Sequence, residues 1–250
     1  MTCLRLLLFL LLISLSLTGC EYINRLNDDG IVIKQNLSTA SLQHIVVNAP
    51  CRLVLHNAAD TAYVRGLDYL ISDLELNEDM GTLNINHSHK EFLRKSEAIE
   101  IHLPAAQIQK ITAHTTLELR TDDTITTDRF AIIMNGEARF SEVSLRLNCQ
   151  QLTLNVYGNN NIGNFMLAGR CQQSFITLEG AVNIDALRLI SNTSMVHHKS
   201  IGQCRLFVND KLDVTTYSSG NTYYKGMATT HHKRVTVSYL PNTGKLIKID

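Results

Sequence analysis

The 250 residues of this chain hold 23 Lys plus Arg against 23 Asp plus Glu, with no Trp and only 3 Pro. A formal net charge of zero argues against nucleic acid or an anionic membrane face as the main partner. The length suits one sizeable core or two small ones, and the sequence contains no second apolar run as long as the one at its start.

That run, Leu6 to Leu17, follows Arg5 and ends in Leu17-Thr18-Gly19-Cys20. It is too short and wrongly flanked for a membrane span and reads as a secretory signal. Small residues directly before Cys20 resemble the processing site of bacterial lipoprotein signal peptides. The resemblance implies that residues 1–19 are removed and that Cys20 carries the lipid that holds the protein on a membrane. Glu21, rather than Asp, implies by resemblance to sorting in enteric bacteria the outer membrane, with its outer and periplasmic faces both open. Residues 20–40 are polar around Asp28-Asp29-Gly30 and read as a tether.

From residue 41 to 103 the chain is a series of short alternating runs: His44-Ile45-Val46-Val47, Arg52-Leu53-Val54-Leu55, Tyr63-Val64, Leu74-Glu75-Leu76, Leu83-Asn84-Ile85 and Ile99 to Leu103. Period two between Asn, Asp and Gly punctuation is strand signal, and no convincing amphipathic helix interrupts it.

Residues 104–226 contain a repeat of about twenty residues. With Thr115, Gly136, Gly158, Gly180, Ser200 and Ser218 in one column, Ile111, Ile132, Leu154, Ile176, Val196 and Val214 stand four residues earlier. Ala113, Met134, Val156, Leu178, His198 and Thr216 stand two earlier. Leu119, Phe140, Ile162, Ile184, Cys204 and Thr222 stand four later, while Val143 and Phe165 recur seven later. Short strands at such a period predict an all-β fold, a parallel β-helix-like solenoid behind a β-rich N-terminal portion, with 227–250 as a C-terminal strand and tail. The small-residue column marks the corner of each coil. Glu118, Arg139, Asn161, Asn183, Gln203 and Asn221 are expected to face solvent as a polar ladder. So is the row His114, Asn135, Tyr157, Glu179, Lys199 and Tyr217, with Glu179 and Lys199 as stacked neighbours.

Cys149 and Cys171 share one repeat position, and stacked strands about 4.8 Å apart would allow either a disulfide or two free thiols. Cys204 belongs to an interior column, and Cys51 has no obvious partner. The pairs His87 and His89, His197 and His198, and His231 and His232 lack a third ligand, so no metal is expected. His198 should point into the core beside Thr216. Asp122, Asp123 and Asp128 lie in a Thr-rich turn, and the neighbouring coils offer no second carboxylate row of the kind glycoside hydrolysis needs. No catalytic residue and no cofactor is expected.

The opening His44 to Val47, the Leu74-x-Leu76 to Leu83-x-Ile85 hairpin and the closing stretch Leu212 to Gly226, with its Tyr223-Tyr224-Lys225-Gly226 ending, resemble the head GIN domain family of bacterial envelope proteins, also called putative auto-transporter adhesins. The similarity covers roughly residues 41 to 237. Met227 and Ala228 stand where family members usually carry a Pro. The resemblance implies a secreted or lipid-anchored β-rich domain and hands over no active site. The expected function is a non-enzymatic envelope lipoprotein that presents a solenoid face, with Tyr157, Glu179, Lys199 and Tyr217, to a protein or glycan partner. A periplasm-facing structural or assembly lipoprotein is the alternative, and a carbohydrate-active β-helix enzyme is a weaker one.

Overall fold

A computed structural model describes residues 30–38, 42–57, 62–88, 99–236 and 241–250. The signal run and Cys20 lie outside the described residues. Among the described residues, sixteen strands form a single continuous sheet wound into a solenoid, and one short helix accompanies them. The strands are β1 (Val32–Asn36), β2 (His44–Val47), β3 (Cys51–His56), β4 (Tyr63–Leu67), β5 (Leu74–Asp79), β6 (Thr82–His87), β7 (Ile99–Pro104) and β8 (Lys110–Ala113). They continue as β9 (Leu117–Thr121), β10 (Ile125–Met134), β11 (Ser141–Val156), β12 (Ile162–Ser200), β13 (Cys204–Thr216), β14 (Thr222–Lys225), β15 (Thr229–Arg234) and β16 (Leu246–Lys248).

Two walls result. Wall A stacks β5, β6, β2, β8, the second halves of β10 and β11, two segments of β12 (173–178 and 193–198), the second half of β13 and finally β15. Wall B stacks β1, β4, β7, β3, β9, then the first half of β11, β12, β13, β14 and β16. Parallel in-register pairing puts identical positions above one another. On wall A, Leu83, Ile45, Ile111, Ile132, Leu154 and Ile176 are successive partners, and Val196 pairs with Val214. All of these side chains are buried. On wall B, Ile101, Leu53, Leu119, Val143 and Phe165 are successive partners, followed by Ile184, Cys204 and Thr222. One coil alone would leave both flanks of these side chains wet, so stacking is what buries them. His198 is buried opposite Thr216, as its column requires.

Three local features depart from the expectation. Residues 32–36, read as tether, form β1, which pairs antiparallel with β4. A five-residue helix, α1 (Asp68–Ser72), links wall B to wall A and buries Leu70 and Ile71 at the N-terminal end of the core. Phe140 and Ile162 do not belong to the wall B core: Leu119 pairs with Val143, and Val143 with Phe165. The coils that begin at Gly136 and Gly158 each carry three more corner residues than the one at Gly180, and the extra residues push Phe140 and Ile162 outward.

The N-terminal end closes with antiparallel strands, β5 on β6 and β4 on β7. The C-terminal end finishes with β15 and β16, both parallel to their neighbours. At the corners, Ser200 does more than fill a glycine position. Its Oγ accepts hydrogen bonds from the N–H groups of Val182 and Gly202, both at 2.9 Å, and donates to Val182 O at 3.1 Å.

Candidate contact surface

The corner that joins wall A to wall B is built from short polar segments, and its length decides what it displays. In the coils starting at Gly136 and Gly158 the extra residues form turns before the strand resumes at Ser141 and Ile162. Phe140 sits at the end of the first with φ of 55°, a left-handed backbone that costs a non-glycine residue about 1 kcal/mol or more. The residue is nevertheless 67% exposed. Ser141 pairs with Gly163, which sets Phe140 beside Ile162 of the next coil, itself 44% exposed. Ala181 and Ile201 continue the row, through the bonds Ala181 N to Asn161 O and Ile201 N to Gly180 O, and Ile201 is 64% exposed. With coils spaced about 4.8 Å apart, the ridge runs about 14 Å from Phe140 to Ile201.

Polar rows flank this ridge on both sides. On the wall A side the expected row is present. Asn135 Nδ2 lies 3.1 Å from His114 Nδ1, Glu179 Oε2 accepts the Gly158 N–H at 2.8 Å, and Lys199 Nζ reaches Glu179 Oε1 at 3.0 Å. Lys199 also lies 5.5 Å from the centre of the Tyr217 ring, a cation–π contact. Partial burial opposes the charge on Glu179, yet the Gly158 N–H and Lys199 together hold its carboxyl below the ordinary carboxylate value. Tyr157 stands 42% exposed beside Gly158. Thus Glu179, Lys199 and Tyr217 form one connected cluster, and Tyr157 joins it through the next residue's backbone.

On the wall B side the ladder exists with two changed members. Asn164 Nδ2 donates to Glu142 Oε1 at 2.8 Å, Asn183 Nδ2 donates to Asn164 Oδ1 at 3.2 Å, and Gln203 N donates to Asn183 Oδ1 at 2.9 Å. Arg139 and Asn161 are replaced in it by Glu142 and Asn164, because of the longer corners. Asn161 is buried, not exposed, and its Nδ2 locks the loop by donating to Tyr157 O at 2.7 Å. The signal that would have placed Phe140 on the surface was in the sequence: Val143 and Phe165 recur seven residues after their glycines, not four.

The remaining chemistry-bearing residues sort themselves out. Cys149 and Cys171 are register partners, both buried as free thiols, and Cys171 Sγ donates to Gln173 O at 2.9 Å. Cys51 and Cys204 are buried thiols, each pushed up to about 12 by desolvation. Asp122 and Asp123 stay in an exposed turn, where Asp122 faces Arg120 at 3.8 Å and Asp123 accepts the Asn57 N–H at 3.2 Å. His197 is half-buried while His198 points inward, so they share no face. His89 lies outside the described residues. Among the described residues no group of three or more His, Cys, Asp or Glu side chains could hold a metal ion.

The geometry is thus an apolar ridge between two hydrogen-bonding rows on a stiff, coil-stacked frame, an arrangement that suits non-covalent contact. Comparison with known proteins agrees with a binding role. The model of a family described as "Putative auto-transporter adhesin, head GIN domain" matches residues 42–228. Among curated proteins nothing matches this chain. A crystal structure of a putative adhesin from Bacteroides fragilis superposes with a TM-score of 0.73 at 18% identity, covering 88% of this chain and 97% of that one. A putative lipid binding protein from Parabacteroides distasonis gives 0.65 at 13% identity, over 89% of this chain and 98% of that one. A putative adhesin from Parabacteroides merdae gives 0.59 at 12% identity, over 89% and 98%. At these identities the three structures establish the shared fold.

Proposed function

This chain belongs to the head GIN domain family, and from that premise we propose that it is a non-enzymatic adhesin, a lipid-anchored envelope protein that grips its partner along the corner ridge. The observation that carries the reading is Phe140: a large ring held outward in a left-handed backbone conformation serves neither packing nor local stability. A strained backbone under an exposed aromatic motivates this reading, since exposed aromatics are common binding anchors. Tyr157 is the second anchor, and the Glu179–Lys199 pair supplies orientation.

Substitution of Phe140 separates contact from architecture. Phe140→Gly relieves the backbone and is expected to raise stability by up to about 1 kcal/mol. Combined with Tyr157→Ala it is expected to weaken adhesion of chain-coated beads to a panel of immobilised glycans and matrix proteins at least ~10-fold. Binding unchanged in this double variant would sink the assignment. The envelope address rests on Leu17 to Cys20. Cys20→Ser is expected to abolish palmitate labelling and to move the chain out of the membrane fraction; a variant still membrane-bound would refute the lipid anchor. Protease shaving of intact cells then separates the adhesin from a periplasm-facing assembly role, since only a surface chain is digested while a periplasmic control survives.

A further inference from the structure

The two ends of wall A carry opposite charge at their unpaired edges, and we infer that the solenoid associates head to tail with further copies of this chain. Among the described residues, β5 pairs only with β6 and β15 only with β13, so each end of wall A presents one open strand edge. Both edge strands are six residues long. The first reads Leu74-Glu75-Leu76-Asn77-Glu78-Asp79 and the second Thr229-Thr230-His231-His232-Lys233-Arg234. An open edge invites another strand, and chains that must stay apart commonly block it with charge. Blocking two ends of one molecule against each other calls for charges of the same sign. Here the signs are opposite, with the carboxylates of Glu75, Glu78 and Asp79 at one end and the cations of Lys233 and Arg234 at the other.

The register supports the same pairing. His232 ends the core column that passes through Val214, and Glu78 ends that column beyond Leu83. Asp79 and His231 likewise end the column of Thr82, His44 and Asp213. Carrying the columns straight across a junction sets β15 of one copy antiparallel to β5 of the next, with His231 opposite Asp79 and His232 opposite Glu78. Lys233 then lies diagonal to both Glu75 and Asp79 on the outer face, within reach of a long side chain. A heterologous contact of this kind, repeated by translation along the axis, gives an open-ended row and not a closed dimer.

The test is sedimentation velocity of the full chain in detergent, over rising concentration at low and high salt. Growth through successive oligomers, reduced by salt, is the expected result. Glu75→Lys with Glu78→Lys and Asp79→Lys, or separately Lys233→Glu with Arg234→Glu, should each weaken association at least ~10-fold. An equimolar mixture of the two variants should recover it, because each then offers the other an edge of opposite sign; a misfolded variant could not. A wild-type chain that stays monomeric, a closed dimer, or a mixture that fails to associate would each overturn the inference.

Discussion

Gly180→Ala is expected to destabilise the chain by roughly 2–4 kcal/mol, while Gly136→Ala, two places away in the same column, should change stability by no more than about 0.5 kcal/mol. Gly180 has φ of 85°, and a Cβ there would lie 2.4 Å from the carbonyl oxygen of Asn161. That oxygen already accepts the Ala181 N–H at 2.8 Å, a bond that ties one coil to the next. The substitution therefore adds a left-handed penalty of about 1–2 kcal/mol and displaces a backbone group whose hydrogen bond is worth about 1 kcal/mol. Around Gly136 nothing comes closer to an added Cβ than 3.8 Å. Urea denaturation of the two variants beside the parent measures the contrast. Equal midpoints for Gly180→Ala and the parent would show that the corner does not hold this geometry in solution.

The contrast also shows what was legible in the sequence. Wall A could be read from residues alone: Ile132, Leu154 and Ile176 follow one another at constant spacing, and the structure pairs them directly. Wall B could be read only in part, because corner length varies between coils and the β12–β13 pairing shifts register between Ala186 and Ile190. Counting a fixed four residues past each small corner residue placed Phe140 and Ile162 in the interior and hid half of the contact ridge. β1 escaped for a different reason: all five of its residues are exposed, so there is no alternation of burial to leave a trace in the sequence. At five residues, α1 is shorter than the window in which a helical period can be recognised. The row around Glu179 and Lys199 was legible because it depends only on wall A, where Val196 to His198 still pair in step with Val214 to Thr216. The opposite charges of β5 and β15 could be read, but not that the two strands terminate the same wall, since that depends on how the ends fold over.

Acid should unfold this protein well before its carboxylates titrate in full, and His198 is the main reason. Its ring is buried in the wall A core with Nδ1 3.1 Å from Thr222 Oγ1. Desolvation lowers its pKa to about 4, against an opposing hydrogen bond with the Gly202 backbone. In the unfolded chain a histidine titrates near 6.5. Between those two values the unfolded state binds a proton that the folded state refuses, so stability falls as pH drops through this window and levels off, for this group, below about 4. The gap corresponds to roughly 3 kcal/mol. His44, His102 and His232 are also lowered, first of all by desolvation, and act in the same direction. Glu100 and Glu179, held below the ordinary carboxylate value by Arg52 and by the Gly158 N–H and Lys199 despite partial burial, lose their contribution only at still lower pH. His198→Gln keeps a polar group facing Thr222 but removes the proton. It should flatten most of the decline between pH 6.5 and 4 in a series of urea midpoints, even if it lowers stability at pH 7.5. An unchanged slope in that variant would mean that the histidine column is hydrated in solution and that acid acts elsewhere.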